Sequence, residues 1–365
     1  MTDRLTLRQL NRALLDRQGL LERRTGSALA MIDHLVGMQS QSPLAPYVGL
    51  WSRLSGFKPD ELVDLMTSRE VCRIVLMRGT IHLVKANDAL AIRPLVAEVM
   101  RRGLASNKPV AAAAAAAPSL VEVGTRLLSE SPLNPTQLAA ALADAYPGHD
   151  PALLSRAVRD LVPCVQIPPR GLWAKAGQPT LTTPTNWLGT DNPSPSLSID
   201  DLVLRYLKAF GPASIQDAQA WSGLTRLTEV FTRLRPQLRT YSAPDGRELF
   251  DLASLSLPSE DVPAPVRFVA EFDNLLLSHA DRTRVIANDH RREIITINGI
   301  VRGTVLIDGF VAAWWKATVT RTDATLRVTP LAPLPTDDLL PEANHLLTFL
   351  APSLPTTIDL PSTGR

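Results

Sequence analysis

Two glutamines two positions apart, Gln39 and Gln41, are the sharpest chemical feature of this chain. They lie in Leu35-Val36-Gly37-Met38-Gln39-Ser40-Gln41-Ser42-Pro43, where a helix-spaced apolar pattern from Ser27 ends. A primary amide is not a base near neutral pH. Its carbonyl can accept a hydrogen bond from a water, and its dipole can be turned toward positive charge. Two such groups could position a water and stabilise a cation without exchanging a proton. The same pair also reads as a polar helix end whose amides cap backbone groups. A strand–turn–strand pattern follows, Leu76-Met77-Arg78-Gly79-Thr80-Ile81-His82-Leu83. Arg78-Gly79 marks its turn, and Thr80 and His82 face away from Ile81 by alternation.

Other chemistries leave no mark. The chain lacks a phosphate-cradling Gly-x-x-x-x-Gly-Lys-Ser/Thr, a Gly-x-Gly-x-x-Gly, a His-Glu-x-x-His and a Gly-x-Ser-x-Gly. The six histidines are scattered, and the two cysteines, Cys72 and Cys164, stand far apart with no Cys-x-x-Cys. No cofactor and no metal are expected, and a reducing cytoplasm fits. The start, Met1-Thr2-Asp3-Arg4, does not read as a signal peptide. No apolar run approaches the roughly 20 residues that cross a bilayer.

The elements that must hold these residues recur along the chain. With 365 residues, 45% of them hydrophobic and 20% charged, the chain has material for several folded modules. Helices are expected over 5–20, 27–39 and 61–68, followed by the strands at 72–77 and 80–84. The order returns with helices at 136–146 and 151–161, then Cys164–Ile167, a turn at Pro168-Pro169-Arg170-Gly171, and Leu172–Lys175 as a returning strand. It returns again with helices at 199–210, 214–221 and 227–234 and a hairpin around Asp245-Gly246. Helices followed by a hairpin is the order of a winged helix. The alanine run Ala111–Ala117 reads as helix or spacer, and 179–195 as a crossing loop. Strand candidates then dominate: 266–269, 294–297, 303–307, 310–315, 318–321 and 326–328. A helix near 339–350 closes the chain, and a frayed tail is expected after Pro352.

Charge is uneven beneath a net of +2. Residues 1–110 carry 16 Lys+Arg against 10 Asp+Glu, and residues 263–330 carry 9 against 7; the two intervening and trailing stretches are each net negative. A polyanion would therefore meet the N-terminal third first, unless the clustering is only surface chance. Arginine supplies all but six of the 38 cations, which suits phosphate recognition but also fits a GC-rich genome.

Four segments taken together carry a resemblance: the Gln39-x-Gln41 segment, the Leu76–Leu83 hairpin, Glu271-Phe272-Asp273-Asn274-Leu275-Leu276-Leu277-Ser278-His279-Ala280-Asp281-Arg282, and Val305-Leu306-Ile307-Asp308-Gly309-Phe310-Val311-Ala312-Ala313-Trp314-Trp315-Lys316. In this order they resemble the AlkZ/YcaQ-like winged-helix DNA glycosylases over nearly the whole chain. The resemblance implies an α+β fold of about three tandem winged-helix modules bent into a C-shaped clamp around duplex DNA, with a β-rich C-terminal part. The modules would be 1–110, 119–178 and 196–256, and the β-rich part 263–352. It also implies hydrolysis of the N-glycosidic bond of alkylated purines, including bulky N7 adducts and interstrand crosslinks. The catalytic glutamines map to Gln39 and Gln41. The YcaQ-type branch has Asp at the second position, so this chain sides with the AlkZ type. It departs from that type at Ser40, where an aliphatic residue is usual.

The chemistry tolerates amides because N7 alkylation already makes the purine cationic, so it leaves without protonation. Arg78, Thr80 and His82 on the first hairpin, and Arg170 and Lys175 on the second, become candidate DNA contacts. His82 equally reads as a core residue, and Asp273, Asn274, Asp281 and Arg282 as hydrogen-bonding ties within the β-rich part. Of Trp314 and Trp315, one should enter the core and the other an interface. The expected protein is a cytoplasmic, cofactor-free monomer acting on double-stranded DNA that contains alkylated purines, in repair or self-resistance. The competing reading is a non-catalytic winged-helix regulator, which would be expected to dimerise on paired half-sites.

Overall fold

A computed structural model describes residues 3–189 and 197–360. The fold is α+β, and strands of one sheet come from distant parts of the sequence. That sheet contains β1 (Met38–Gln39), β2 (Val71–Val75), β3 (Ile81–Lys85), β4 (Val165–Ile167) and β5 (Thr180–Thr182), in the order β1-β3-β2-β4-β5. All of its pairings are antiparallel. The hairpin expected within 1–110 and the strand expected within 119–178 are therefore hydrogen-bonded to each other, Ile74 opposite Val165. A separate two-stranded ribbon, β6 (Leu238–Ser242) with β7 (Glu248–Leu252), turns at Asp245-Gly246 as the sequence predicts. The C-terminal sheet runs β12-β11-β10-β9-β8, from β8 (Arg267–Val269), β9 (Gly303–Ile307), β10 (Phe310–Val319), β11 (Ala324–Pro330) and β12 (Thr356–Asp359).

Local chemistry explains where the helices begin. The helix Leu7–Arg17 starts from Thr6, and Ile199–Phe210 from Ser198, each in a reciprocal capping box. Pro151–Leu161 begins at a proline behind Asp150, whose side chain accepts from two backbone amides. Several expectations need correction, the crossing loop over 179–195 among them: its described part holds β5 and the short helix Pro184–Leu188, and 190–195 lie outside the described residues. The helix expected through Gln39 stops at His34, because Val36 and Gly37 take positive φ of 54° and 93°. Leu172–Lys175 is turn, with Ala174 at φ 55°, and the returning strand is β5 instead. The stretch 294–297 ends a short helix, Arg291–Ile294, and enters a turn closed by an Ile295–Val301 bridge. Beyond Pro352 the chain forms β12, parallel to β11.

The β-rich part braces the N-terminal helices through buried polar ties. Arg53, on the helix Ala45–Arg53, is fully buried and donates to both Asp273 oxygens at 2.8 and 2.7 Å. Ser52 donates to the Phe268 carbonyl at 2.7 Å. Asn11 donates to the Arg284 and Gly309 carbonyls, both at 2.8 Å. A partly exposed pair, Asp281 with Arg247, ties the same part to the β6–β7 turn instead. Trp315 enters the core and donates to the Val269 carbonyl at 2.9 Å, while Trp314 is half-buried with the Arg302 guanidinium 4.1 Å over its ring.

Candidate active site

The turn before Gln39 places it. Gly37 sits so close to β3 that a Cβ there would lie 2.3 Å from Val84 Cγ1, which no side chain tolerates. Asn274, from the β-rich part, donates to the Gly37 carbonyl at 2.7 Å and fixes the same turn from outside. Two residues later the chain pairs with β3, and Gln39 stands opposite His82. Gln39 is thus on a strand, not at a helix end.

Ser40 and Arg73 then lock the segment between the two glutamines. Ser40 is fully buried, and its backbone N–H donates to the Ile81 carbonyl at 2.7 Å. Arg73 lies within β2 and is also buried. Its Nε donates to Ser40 Oγ at 3.0 Å and its Nη2 to the Ser40 carbonyl at 2.8 Å. Burial first, and the Arg170 cation second, lower the Arg73 pKa to about 10. The serine in the aliphatic position is therefore the acceptor for a buried guanidinium. Ser40→Val should cost about 1–3 kcal/mol of stability by stranding that donor. Ser40→Val combined with Arg73→Met should recover most of it, which urea unfolding of the three variants and the parent would show.

Arg78 ties the first hairpin to Gln39. It occupies a left-handed backbone position, φ 57°, in the turn before β3. Such a conformation in a side-chain-bearing residue costs on the order of 1–3 kcal/mol and persists where surroundings hold it. Here Nη1 donates to the Trp221 carbonyl, and Nη2 donates to Gln39 Oε1 at 2.8 Å. The same Nη2 lies 3.4 Å from His82 Nε2. His82 Nδ1 lies 2.9 Å from the Thr80 carbonyl, which can only accept, so Nδ1 carries the proton and Nε2 offers its lone pair to Arg78. Burial, with the Arg78 charge beside it, drops His82 to about 3. Burial and Arg282 lower Arg78 to about 10. Thr80 turns its hydroxyl inward to the Met77 carbonyl at 3.1 Å.

The two glutamines have different surroundings. Gln39 is nearly buried and its carbonyl oxygen is occupied by Arg78. Gln41 is exposed, held by a long 3.5 Å contact from the Ile81 N–H, and opens onto a cavity of about 430 Å³. The cavity lies between the β2–β3 hairpin, the helix Ala97–Ser106, the helix Pro151–Leu161 and the loop carrying Arg170. The structure thus brings together Gln39, Gln41, Arg78, Thr80 and His82, with Arg170 on the same cavity. Lys175 stays apart on an exposed turn.

Arg73, Arg156, Arg159 and Gln166 also frame this place without having been singled out from sequence. Arg73 had a signal: a lone cation inside the apolar run Val71-Cys72-Arg73-Ile74-Val75. Among the described residues no group of three His, Cys, Asp or Glu side chains could hold a metal ion, and no helix is long and apolar enough to cross a membrane.

Fold and site together define a mixed α+β protein with a paired-amide centre beside an arginine-lined cavity. The chain belongs to the AlkZ-like DNA glycosylase family, whose model matches residues 32–349. It is 27% identical over 186 residues to an interstrand DNA cross-link repair glycosylase of Streptomyces sahachiroi, a stretch spanning 46% of this chain and 47% of that protein. Its fold matches the Streptomyces sahachiroi DNA glycosylase AlkZ with a TM-score of 0.76, at 21% identity, over 97% of this chain and all of the other.

Proposed function

We propose that this chain hydrolyses the N-glycosidic bond of N7-alkylated purines, crosslinked ones included, in double-stranded DNA, as a cofactor-free monomer. The three helix-and-hairpin segments would face the duplex, Lys175 would meet a phosphate from its exposed turn, and repair or self-resistance on cytoplasmic DNA would be the setting. The observation that carries this reading is Gln41, an amide that follows the Arg73-bound Ser40 and is open to a cavity, in a chain of the AlkZ-like family. The likeness to the Streptomyces sahachiroi interstrand DNA cross-link repair glycosylase supports the crosslinked substrates.

The chemistry balances without a general acid. The C1′–N9 bond breaks and its electron pair moves to the cationic purine, which leaves neutral. Positive charge passes to the sugar. The Gln41 carbonyl accepts a hydrogen bond from the attacking water and turns its negative end toward that charge. The water oxygen bonds to C1′ and its proton goes to solvent. Gln39 holds Arg78 at the rim of the site, away from the sugar.

No group at this centre titrates near neutrality. His82 is depressed to about 3, so it stays neutral above that; Arg78 is depressed to about 10, so it stays charged below that. Enzymatic release of N7-methylguanine should therefore vary by less than about twofold from pH 6 to 9, after subtraction of spontaneous loss. Single-turnover incubation with duplex DNA carrying one N7-alkylguanine, read as alkali-labile strand cleavage, tests the activity. Abasic sites support it. A folded, DNA-binding protein that releases no base from small or bulky N7 adducts would favour the regulator reading.

A further inference from the structure

The cavity beside Gln41 carries more positive charge than its own carboxylates balance. Four arginines line it, Arg78, Arg156, Arg159 and Arg170, and Asp160 is the one lining carboxylate. Asp160 is already paired with Arg156 at 2.9 Å. Arg170 donates to the Gly177 carbonyl at 3.0 Å, and Arg78 to Trp221 and Gln39. Among the described residues, Arg78, Arg159 and Arg170 have no carboxylate partner, and the Arg159 guanidinium makes no hydrogen bond, with its Nε buried. Burial is the first cause that pulls both Arg78 and Arg159 down from the usual guanidinium range, and a neighbouring arginine adds to it in each case. Half-buried like charges converging on one space are unfavourable unless an anion enters.

We propose that this cavity seats one backbone phosphodiester of the lesion-bearing strand, gripped by Arg159 and Arg170 with Arg78 at the Gln41 end. The proposal rests on the glycosylase reading for the identity of the strand. Charge decides between the two parts of the substrate that could fill the space. An N7-alkylated purine is cationic until its bond breaks, and three arginines without counter-ions repel it. A phosphodiester is an anion whose two free oxygens match guanidinium forks. Extruded bases are commonly held by stacking, and no aromatic ring lines this cavity. Seated here, the phosphate also offsets cations that would otherwise oppose the charge developing at the sugar. Gln166 lines the same space with a buried Oε1 that has no donor. Turning its amide about brings Nε2 to that place as a further donor.

The test is a charge-deletion cycle. Duplexes carrying one N7-methylguanine would bear a single neutral methylphosphonate at each linkage from two before to two after the lesion. Affinity and single-turnover release would be measured for the parent protein and for Arg159→Met, with Arg170→Met as the second variant. At one linkage the methylphosphonate should weaken binding or slow release about tenfold in the parent, yet less than about threefold in Arg159→Met, because the interaction is already gone. Equal losses in parent and both variants at every linkage would overturn the proposal. Thermal unfolding checks that the variants fold: the Arg159 guanidinium has no partner to lose, and Arg170 loses only the Gly177 carbonyl. The fully charged duplex separates the two readings. No base release there counts against hydrolysis of small N7 adducts, while the affinity cycle still decides whether the cavity holds a phosphate.

Discussion

Gln41→Ala should slow release of N7-methylguanine from duplex DNA by about 100-fold in single turnover, about 2.7 kcal/mol of barrier, with DNA affinity kept within about threefold. The site argues for a loss in the chemical step. Gln41 is the amide that opens onto the cavity; Arg73 fixes the Ser40 carbonyl next to it, and the Gln41 side chain adds only a long 3.5 Å contact from the Ile81 N–H. On the proposed reading, truncating it removes the water's acceptor and the dipole facing the sugar, together with the long Ile81 N–H contact, while leaving the Ser40–Arg73 bonds as they are. Gln39→Ala should differ in kind. It frees Arg78 Nη2 from its carbonyl partner, leaving the guanidinium tethered through Nη1 to the Trp221 carbonyl, with His82 Nε2 3.4 Å from Nη2. Its loss should appear partly in affinity and partly in rate. Rapid-quench release paired with equilibrium binding separates the two patterns. Equal effects of both substitutions on affinity alone would mean the amides only bind DNA.

Asp273→Ala should produce the largest stability loss in the molecule, about 3–5 kcal/mol in urea unfolding. Both partners of the Arg53–Asp273 pair are buried, and Arg53 already has a buried Nε without an acceptor. Removing the carboxylate strands the guanidinium, with the Gly49 carbonyl and Gln18 Oε1, both at 3.0 Å, as its remaining acceptors. Asp273 also caps the short helix Asn274–Leu277 by accepting from the Leu275 N–H at 2.8 Å. The next residue, Asn274, holds the turn in front of Gln39, so the substitution should slow base release as well. Replacing the pair together, Arg53→Met with Asp273→Leu, should restore most of the stability because no buried charge is left unpaired. A double variant as unstable as Asp273→Ala would place the cost in packing instead.

The features legible in the sequence are those set by local chemistry. Pro151 behind Asp150, and Ser198 with Asp201 three residues on, delimit their helices by capping alone. Asp245-Gly246 sets its hairpin by turn geometry. The paired glutamines were visible because spacing and residue type are local. What escaped depends on distant partners. Gln39 is strand rather than helix because Gly37 must press against Val84, a contact no window of periodicity contains. β5 takes the place expected of Leu172–Lys175 because Thr182 pairs with Val165 and Leu181 bridges to Leu133. β12 forms because β11 offers it an edge. Arg159 carries no local mark of function within its helix. Only the fold brings it to a cavity shared with Gln41, far away in the chain.

The central claim is that amides suffice, Gln41 at the sugar and Gln39 holding Arg78, because the leaving base brings its own positive charge. It is tested most directly by offering the protein two lesions in one duplex context, cationic N7-methylguanine and uncharged hypoxanthine, and counting abasic sites in single turnover. The account predicts release of N7-methylguanine at least about 100-fold faster than hypoxanthine, corrected for spontaneous loss, and loss of that release in Gln41→Ala. Comparable release of hypoxanthine would require a proton donor that this site does not offer, and would contradict the account.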